Sequence, residues 1–122
     1  MTSSVQHGLR VLTLPADGPA IASESDAMDV IGDALGHEAD VVAVPVARLS
    51  PEFFRLRSGV AGAVVQKFVT YRLHLVVVGD VEHHGPTTGP VADWVREANR
   101  GRQVWFVADG AELDRRLAAR AT

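Results

Sequence analysis

The sequence predicts a single-domain α/β sandwich, with a four- or five-stranded, mixed or mainly parallel sheet and about four helices. Three observations predict this class. The chain has 122 residues, which is the size of one domain, so residues 1–122 are taken as a single unit. Strand-like and helix-like segments alternate along it, and a helix between two strands allows those strands to run parallel. Two runs, at residues 41–44 and 73–78, are apolar at nearly every position, which is typical of strands that are buried on both faces. We expect these two runs to be neighbouring central strands.

The first part of the chain supplies the opening strands and the first helix. We expect residues 1–8 to be a flexible N-terminus. Residues 9–14 form an apolar-rich run, which predicts a strand, and turn-forming residues close it. Residues 20–22 are interpreted as a second short strand. Ser23 then has the chemistry of an N-cap, and apolar residues recur at helical spacing until Gly36, so the first helix spans this segment.

The rest of the chain supplies three more helices and the last strand. Helix two is predicted to begin at Ser50 and run to about Thr70, with Ser50 interpreted as its cap rather than as a phosphorylated residue. A third helix begins at Pro90, and residues 103–107 form the last strand. Residues 109–112 match a capping box in its Asp form, which begins a fourth helix.

The segment between the third apolar run and the third helix is long for so small a domain. Residues 80–89 carry Gly and Pro without any periodicity. We therefore expect this connection to be the functional loop.

Composition narrows the classes of partner and cofactor. The formal net charge is −3 and no basic patch emerges, so we expect no nucleic-acid partner. No apolar run reaches the length of a membrane span, and the first residues lack the features of a signal peptide, so we expect a cytoplasmic protein without membrane contact. The chain has no Cys, which excludes disulfides and thiolate metal sites. Glu82, His83 and His84 are adjacent, and neighbouring His side chains do not readily share one metal ion, so we predict neither a metal nor another cofactor.

A helical wheel of helix two separates an apolar arc from a face of small and polar residues. That face carries Ser58, Gly59, Gly62 and Gln66. Gly inside a helix costs about 0.5–1 kcal/mol relative to Ala, so two of them on one face indicate that something approaches closely. We expect a homodimer, or another protein partner, at this face. One alternative is that one of the two glycines marks a break in the helix. The other is that helix one, helix three or the loop around His83 in the same chain covers this face.

The same wheel places Arg57 and Lys67 within the apolar arc. A charged side chain is rarely buried unless it is paired. We therefore predict that each contacts a carboxylate or a helix-end carbonyl, or lines a shared polar pocket.

Two hypotheses for the function follow. The first is a non-catalytic regulatory or protein-interaction domain, because the sequence carries no recognisable catalytic motif. The alternative is a small-molecule-binding protein or an enzyme, and the sequence leaves the question of catalysis open. A pocket in which at least four of its candidate residues converge would favour this alternative. The candidate ligand-binding residues are Arg57, Gln66, Lys67, Tyr71, Asp80, Asn99 and Arg100.

A set of residues distributed along the chain resembles a known family. The set consists of Asp26, Ala27, residues 50–57, Gly59, Ala61, Gly62, residues 66–68, Tyr71, Arg72, Gly79, Asp80, residues 97–101 and residues 104–107. It resembles the bacterial domain of unknown function 4180 family, from about Ser23 to Leu117. The resemblance implies no established activity, substrate or cofactor. The order of strands and helices also resembles that of STAS-type domains, the fold of anti-sigma-factor antagonists.

Overall fold

Five strands form one sheet in which their spatial order repeats their order in the chain. The computed structural model describes residues 1–80 and 89–121. The strands are β1 (Thr2–Gln6), β2 (Leu9–Thr13), β3 (Val41–Pro45), β4 (His74–Val78) and β5 (Val104–Val107). β1 pairs antiparallel with β2, and each later strand pairs in parallel with the strand before it. The predicted mixed sheet is confirmed, and so are the two central strands.

Four helices cover the two faces of this sheet. They are α1 (Glu24–Gly36), α2 (Val60–Thr70), α3 (Pro90–Ala98) and α4 (Gly110–Ala121). One core lies between the sheet and helices α1 to α3, and a smaller core lies between the opposite face and α4. The caps predicted for α1 and α4 are present, since the Asp26 backbone N–H donates to Ser23 Oγ and the Glu112 backbone N–H donates to Asp109 Oδ1. The α/β class with four helices is therefore confirmed.

The N-terminal hairpin is an element that the sequence analysis missed. Residues 1–8, expected to be a flexible terminus, contain β1, which is joined to β2 by a two-residue turn at His7 and Gly8. Both turn residues have positive φ, 53° and 82°, as a type I′ hairpin requires. Residues 20–22, predicted to be a short strand, contribute a single bridge between Ile21 and Leu49.

Helix two is shorter than predicted. The interval from residue 50 to residue 59 forms two short 3₁₀ helices, Pro51–Phe54 and Leu56–Ser58, and α2 begins only after Gly59. Gly59 has φ of 77°, a left-handed conformation that interrupts any continuous helix. Ser50 precedes the first 3₁₀ helix, but its side chain makes no capping hydrogen bond and its Oγ is buried without a partner among the described residues. The prediction of one helix from Ser50 to Thr70, capped by Ser50, is therefore wrong in its first half.

No helix in the described ranges is both long enough and apolar enough to cross a bilayer.

Candidate functional site

A cavity of about 210 Å³ opens at the end of the sheet where strands β4 and β5 begin. We call it the cationic cavity. The residues that line it are Asp40, Val69, Arg72, Leu73, His74, Arg102, Gln103 and Arg120. They come from the ends of α2 and α4 and from the first residues of, or the residues just before, three parallel strands. The parallel strands all begin at the same end of the sheet, so residues that are distant in the chain meet here.

The charges around this cavity are unbalanced. Among the described residues of the lining, three are arginines, Arg72, Arg102 and Arg120, and Asp40 contributes the only carboxylate. Within residues 1–80 and 89–121, none of the three arginines forms an ion pair. Oδ2 of Asp40 accepts a hydrogen bond from the backbone N–H of Arg10 at 2.8 Å. The lining therefore carries an excess of two positive charges.

His74 is the buried polar group of the cavity, at 4 % exposure. The guanidinium of Arg120 donates a hydrogen bond to its Nδ1. Because a guanidinium can only donate, Nδ1 accepts, and the ring proton is on Nε2. That Nε2 is buried and has no hydrogen-bond partner in the described part of the chain.

The protonation state of His74 follows from its surroundings. Burial and, to a smaller extent, the positive charges of Arg120 and Arg116 together lower the pKa of His74 from 6.5 to about 3. The ring is therefore neutral near pH 7 and presents an N–H donor rather than a positive charge.

The Trp105 ring packs against the His74 ring. The two ring centroids are 4.1 Å apart in an edge-to-face arrangement. The Arg116 guanidinium lies over the Trp105 ring, 4.3 Å from its centroid, and also donates to the carbonyl of Asn99. Nε1 of Trp105 donates to the carbonyl of Gly101 at 2.7 Å. These contacts hold the imidazole in one orientation.

A second cavity of about 490 Å³ shares two residues with the first, Arg102 and Gln103. We call it the apolar cavity. Val65 of α2, Trp94 and Ala98 of α3 and Val104 of β5 supply its apolar lining, and Glu97 and Gly101 complete it. An apolar space thus adjoins the cationic cavity through a shared guanidinium and amide.

The structure does not bring the seven predicted ligand-binding residues into either cavity. Arg57, Gln66 and Tyr71 are exposed, Lys67 is half-buried, and Asp80 follows the far end of β4. Arg100 is exposed and lies 3.6 Å from a carboxylate oxygen of Glu97. None of the seven lines the cationic or the apolar cavity.

Asn99 has a structural role instead. Its Nδ2 donates to the carbonyl of Phe106 at 3.2 Å, and its Oδ1 accepts from the N–H of the same residue at 2.7 Å. Both hydrogen-bonding ends of the amide are therefore engaged by one residue of β5.

The pairing predicted for Arg57 and Lys67 is not found in the described ranges, where neither side chain has an ion pair or hydrogen bond. Arg57 lies in a 3₁₀ segment, where the α-helical angle does not apply, and it is exposed. Lys67 lies within α2 and is half-buried, so it reaches the rim of the apolar arc without a paired carboxylate among the described residues. The buried, paired arginine is Arg48, at 8 % exposure, whose Nε and Nη1 donate to the carbonyls of Pro19 and Pro15.

The predicted contact face of helix two is open. Ser58 Oγ donates to the carbonyl of Glu52 and accepts from the N–H of Val60, so it stabilises the turn before α2. A Cβ added at Gly59 or at Gly62 would meet no heavy atom within 4 Å. The alternative in which one glycine marks a helix break is confirmed at Gly59, which precedes α2 with φ of 77°. Helices α1 and α3 do not reach either glycine, and the loop around His83 lies outside the described residues. The intermolecular contact remains a prediction.

Glu82, His83 and His84, together with most of the predicted functional loop, lie outside the described residues. Among residues 1–80 and 89–121, no group of three or more His, Asp or Glu side chains could hold a metal ion.

Among the described residues that line the cationic cavity, only Arg72 belongs to the set that carries the family resemblance, and no sequence pattern predicts the cavity. The sequence feature that corresponds to this cavity is the position of basic residues just before two parallel strands and near the end of the last helix. It predicts a cavity only when the order of the strands in the sheet is known.

Comparison with known proteins gives one assignment. No curated protein and no solved structure matches the chain, and its likeness to STAS-type domains stays a prediction. The sequence model of the family described as "Domain of unknown function (DUF4180)" matches residues 6–117. Because that match covers most of the chain, the protein belongs to the DUF4180 family.

Proposed function

We propose that this chain is a non-catalytic ligand-binding domain and that it binds a small anion in the cationic cavity. The observation that carries the proposal is that Arg72, Arg102 and Arg120 line one cavity, that Asp40 is the only carboxylate among its described lining residues, and that none of the three arginines forms an ion pair within the described residues. Three like charges around one space repel one another, and a bound anion would relieve that repulsion. Guanidinium groups also match carboxylate and phosphate oxygens in geometry.

His74 supports the same proposal independently of charge. Its Nε2–H is a buried donor without a partner in the described ranges. A buried unsatisfied donor costs about 1–3 kcal/mol, and a ligand acceptor would recover that cost once it displaced the side chains that now cover Nε2.

The dimensions indicate what kind of anion fits. A volume of about 210 Å³ accommodates one carboxylate or phosphate group rather than a whole drug-sized ligand. The apolar cavity beyond Arg102 and Gln103 offers room for an attached hydrocarbon or aromatic body. We therefore expect an anion with an apolar body to bind more tightly than the inorganic anion alone.

The chemistry of the lining favours binding over catalysis. His74, with a pKa of about 3, is too weak a base to accept a proton near neutral pH. Among the residues that the structure describes, no Ser or Thr lines the cationic cavity, and the chain has no Cys. Small-molecule binding is the alternative hypothesis from the sequence, here placed at a different set of residues.

Titration tests the proposal, using inorganic phosphate, acetate and phenylacetate as probes. Binding is measured by calorimetry and by intrinsic fluorescence, because Trp94 lines the apolar cavity and Trp105 lies under His74. We expect saturable binding of phenylacetate that is tighter than that of acetate and weakens as salt is added.

The arginine variants make the test specific to the site. Arg72→Gln and Arg120→Gln should each weaken binding by about tenfold, which corresponds to about 1.4 kcal/mol. Arg96→Gln is the matched control, because Arg96 is exposed on α3, pairs with Asp93 at 3.3 Å and lines neither cavity. Equal affinity in wild type and both variants, or no saturation by any probe, would refute the proposal.

A further inference from the structure

The outer edge of β1 is an unpaired strand edge. Gln6 and Leu9 flank the two-residue turn, and in such hairpins the flanking residues exchange both backbone hydrogen bonds. The bonded pairs then recur at every second residue, so Ser4 and Thr2 face β2. The backbone N–H and C=O groups of Ser3 and Val5 therefore point away from the sheet. No described residue donates to or accepts from these four groups.

We propose that this edge pairs with the same edge of a second copy of the chain, in a two-fold antiparallel arrangement. Ser4 would lie on the symmetry axis, with Ser3 opposite Val5 of the second copy. In that register both outward residues exchange their N–H and C=O groups with the second copy, which gives four backbone hydrogen bonds. The two five-stranded sheets would join into one sheet of ten strands.

The composition of β1 is compatible with such pairing. Exposed edges are commonly protected by Lys, by Pro or by a bulge, but residues 2–6 contain no charged residue and no Pro, and their pairing with β2 is continuous. Val5 is 68 % exposed, which is unusual for a β-branched apolar side chain within a strand. A second copy would remove part of that side chain from water.

The other edge strand of the sheet, β5, is a poor partner for β1 of a second copy, so β1 is expected to pair with β1. The Leu75 N–H donates to the carbonyl of Gln103, and the Gly79 N–H donates to the carbonyl of Val107. Backbone groups of alternate residues therefore point toward β4, and the N–H and C=O of Phe106 point away from the sheet. The amide of Asn99 occupies both outward groups of Phe106. Pairing of β1 with β5 of another copy, which would propagate into a fibre, is therefore obstructed. Pairing of β1 with β1 closes at two subunits.

Sedimentation equilibrium on the wild-type chain, from micromolar to millimolar concentration, measures this association. We expect a reversible monomer–dimer equilibrium without larger species. A wild-type chain that stays monomeric throughout this range overturns the proposal, and so does a series of growing oligomers.

Val5→Pro is the discriminating variant. It removes an outward N–H and leaves the hydrogen bonds between β1 and β2 in place, so the fold should persist by circular dichroism. We expect its dimer dissociation constant to rise by at least about tenfold, which is about 1.4 kcal/mol. Val5→Thr is the matched control, because it keeps the N–H and the β-branched shape, and it should dimerise like the wild type. Equal dimerisation of the Pro and Thr variants contradicts the proposed register.

Two further measurements keep the proposal testable if Val5→Pro disturbs the hairpin. In amide hydrogen exchange of the wild type, the N–H groups of Ser3 and Val5 should become protected as concentration rises, whereas that of Ser4 should be protected at all concentrations. Gly62→Leu, on the open face of α2, should leave the dimer unchanged. A folded monomer in that variant would move the interface to α2 and overturn the proposal.

Discussion

At the scale of single residues, His74 shows how neighbouring groups determine the chemistry of a side chain. It begins a central strand, its ring lies against Trp105, and the guanidinium of Arg120 occupies its Nδ1. In the sequence it was one polar residue within an apolar run, and nothing local distinguishes a neutral, fully oriented ring from a protonated one. The side chains around it belong to β5 and α4, and β5 itself begins 30 residues further along the chain, at Val104.

The depressed pKa of His74 predicts acid sensitivity. The unfolded chain protonates this residue near pH 6.5, whereas the folded chain resists protonation until about pH 3. Between these values the unfolded state binds the additional proton, so stability is lost as pH falls through this window, by up to about 1.4 kcal/mol per pH unit. Urea unfolding at several pH values should show a smaller slope in His74→Gln than in wild type.

His37→Gln is the control for that experiment, because His37 is exposed at the end of α1. It should retain the wild-type slope. A His74→Gln variant with the same slope as the wild type would show that burial of this ring does not cause the acid sensitivity.

At the scale of elements, the start of α2 shows where pattern reasoning fails. Gly59 and Gly62 look equivalent on a wheel, yet one is the left-handed residue before α2 and the other is an exposed residue in its first turn. The first has a conformation that other L-residues rarely adopt, and the second has none of the close neighbours that would require glycine.

Alanine substitutions should therefore have opposite effects at these two positions. Gly59→Ala should lower the free energy of unfolding by about 1 kcal/mol, because a Cβ disfavours a φ of 77°. Gly62→Ala should raise it by about 0.5–1 kcal/mol, because nothing lies within 4 Å of the new Cβ and Ala favours the helix. Chemical denaturation of both variants against wild type measures the difference. A change of the same sign at both positions would contradict this account.

Elements with a strong local pattern could be predicted from the sequence, and the others could not. The apolar runs of β3 and β4 and the cap of α1 are visible in a few consecutive residues. β1 is not, because an edge strand with one neighbour has no need of an apolar pattern. The 3₁₀ segments were not predicted, because the apolar residues of this region were assigned to one α-helical stripe. Phe53 and Phe54 are adjacent and both buried, which a single stripe does not explain. The cationic cavity could not be predicted, because its residues come from segments that meet only in the folded sheet.

At the scale of the whole molecule, the two faces of the sheet are covered unequally. Three helices lie on one face, and on the other, within the described residues, α4 alone covers a core of valines and Trp105. Leu117 of α4 is 0 % exposed at the centre of that smaller core. The second face therefore depends on few side chains.

Leu117→Ala should destabilise the protein by about 2–5 kcal/mol, because it leaves a cavity that a single helix cannot readily close. Leu35→Ala is the matched control, since Leu35 is a helical leucine that is 49 % exposed, and its effect should be less than about 0.5 kcal/mol. Denaturant titration measures both variants. Similar losses from the two substitutions would mean that α4 does not hold this face.

The identity between sheet order and chain order has a consequence for how the molecule is made. Each strand pairs with the strand that precedes it in the chain, so no strand has to wait for a distant segment before it finds its neighbour. On the ribosome the β1–β2 hairpin can close first, and β3, β4 and β5 can then be added at one growing edge as they emerge. The longest interval between paired strands, from β3 to β4, contains α2 and the short 3₁₀ helices before it, which keeps the entropy cost of each closure low. Synthesis and assembly of the sheet can thus proceed in the same direction.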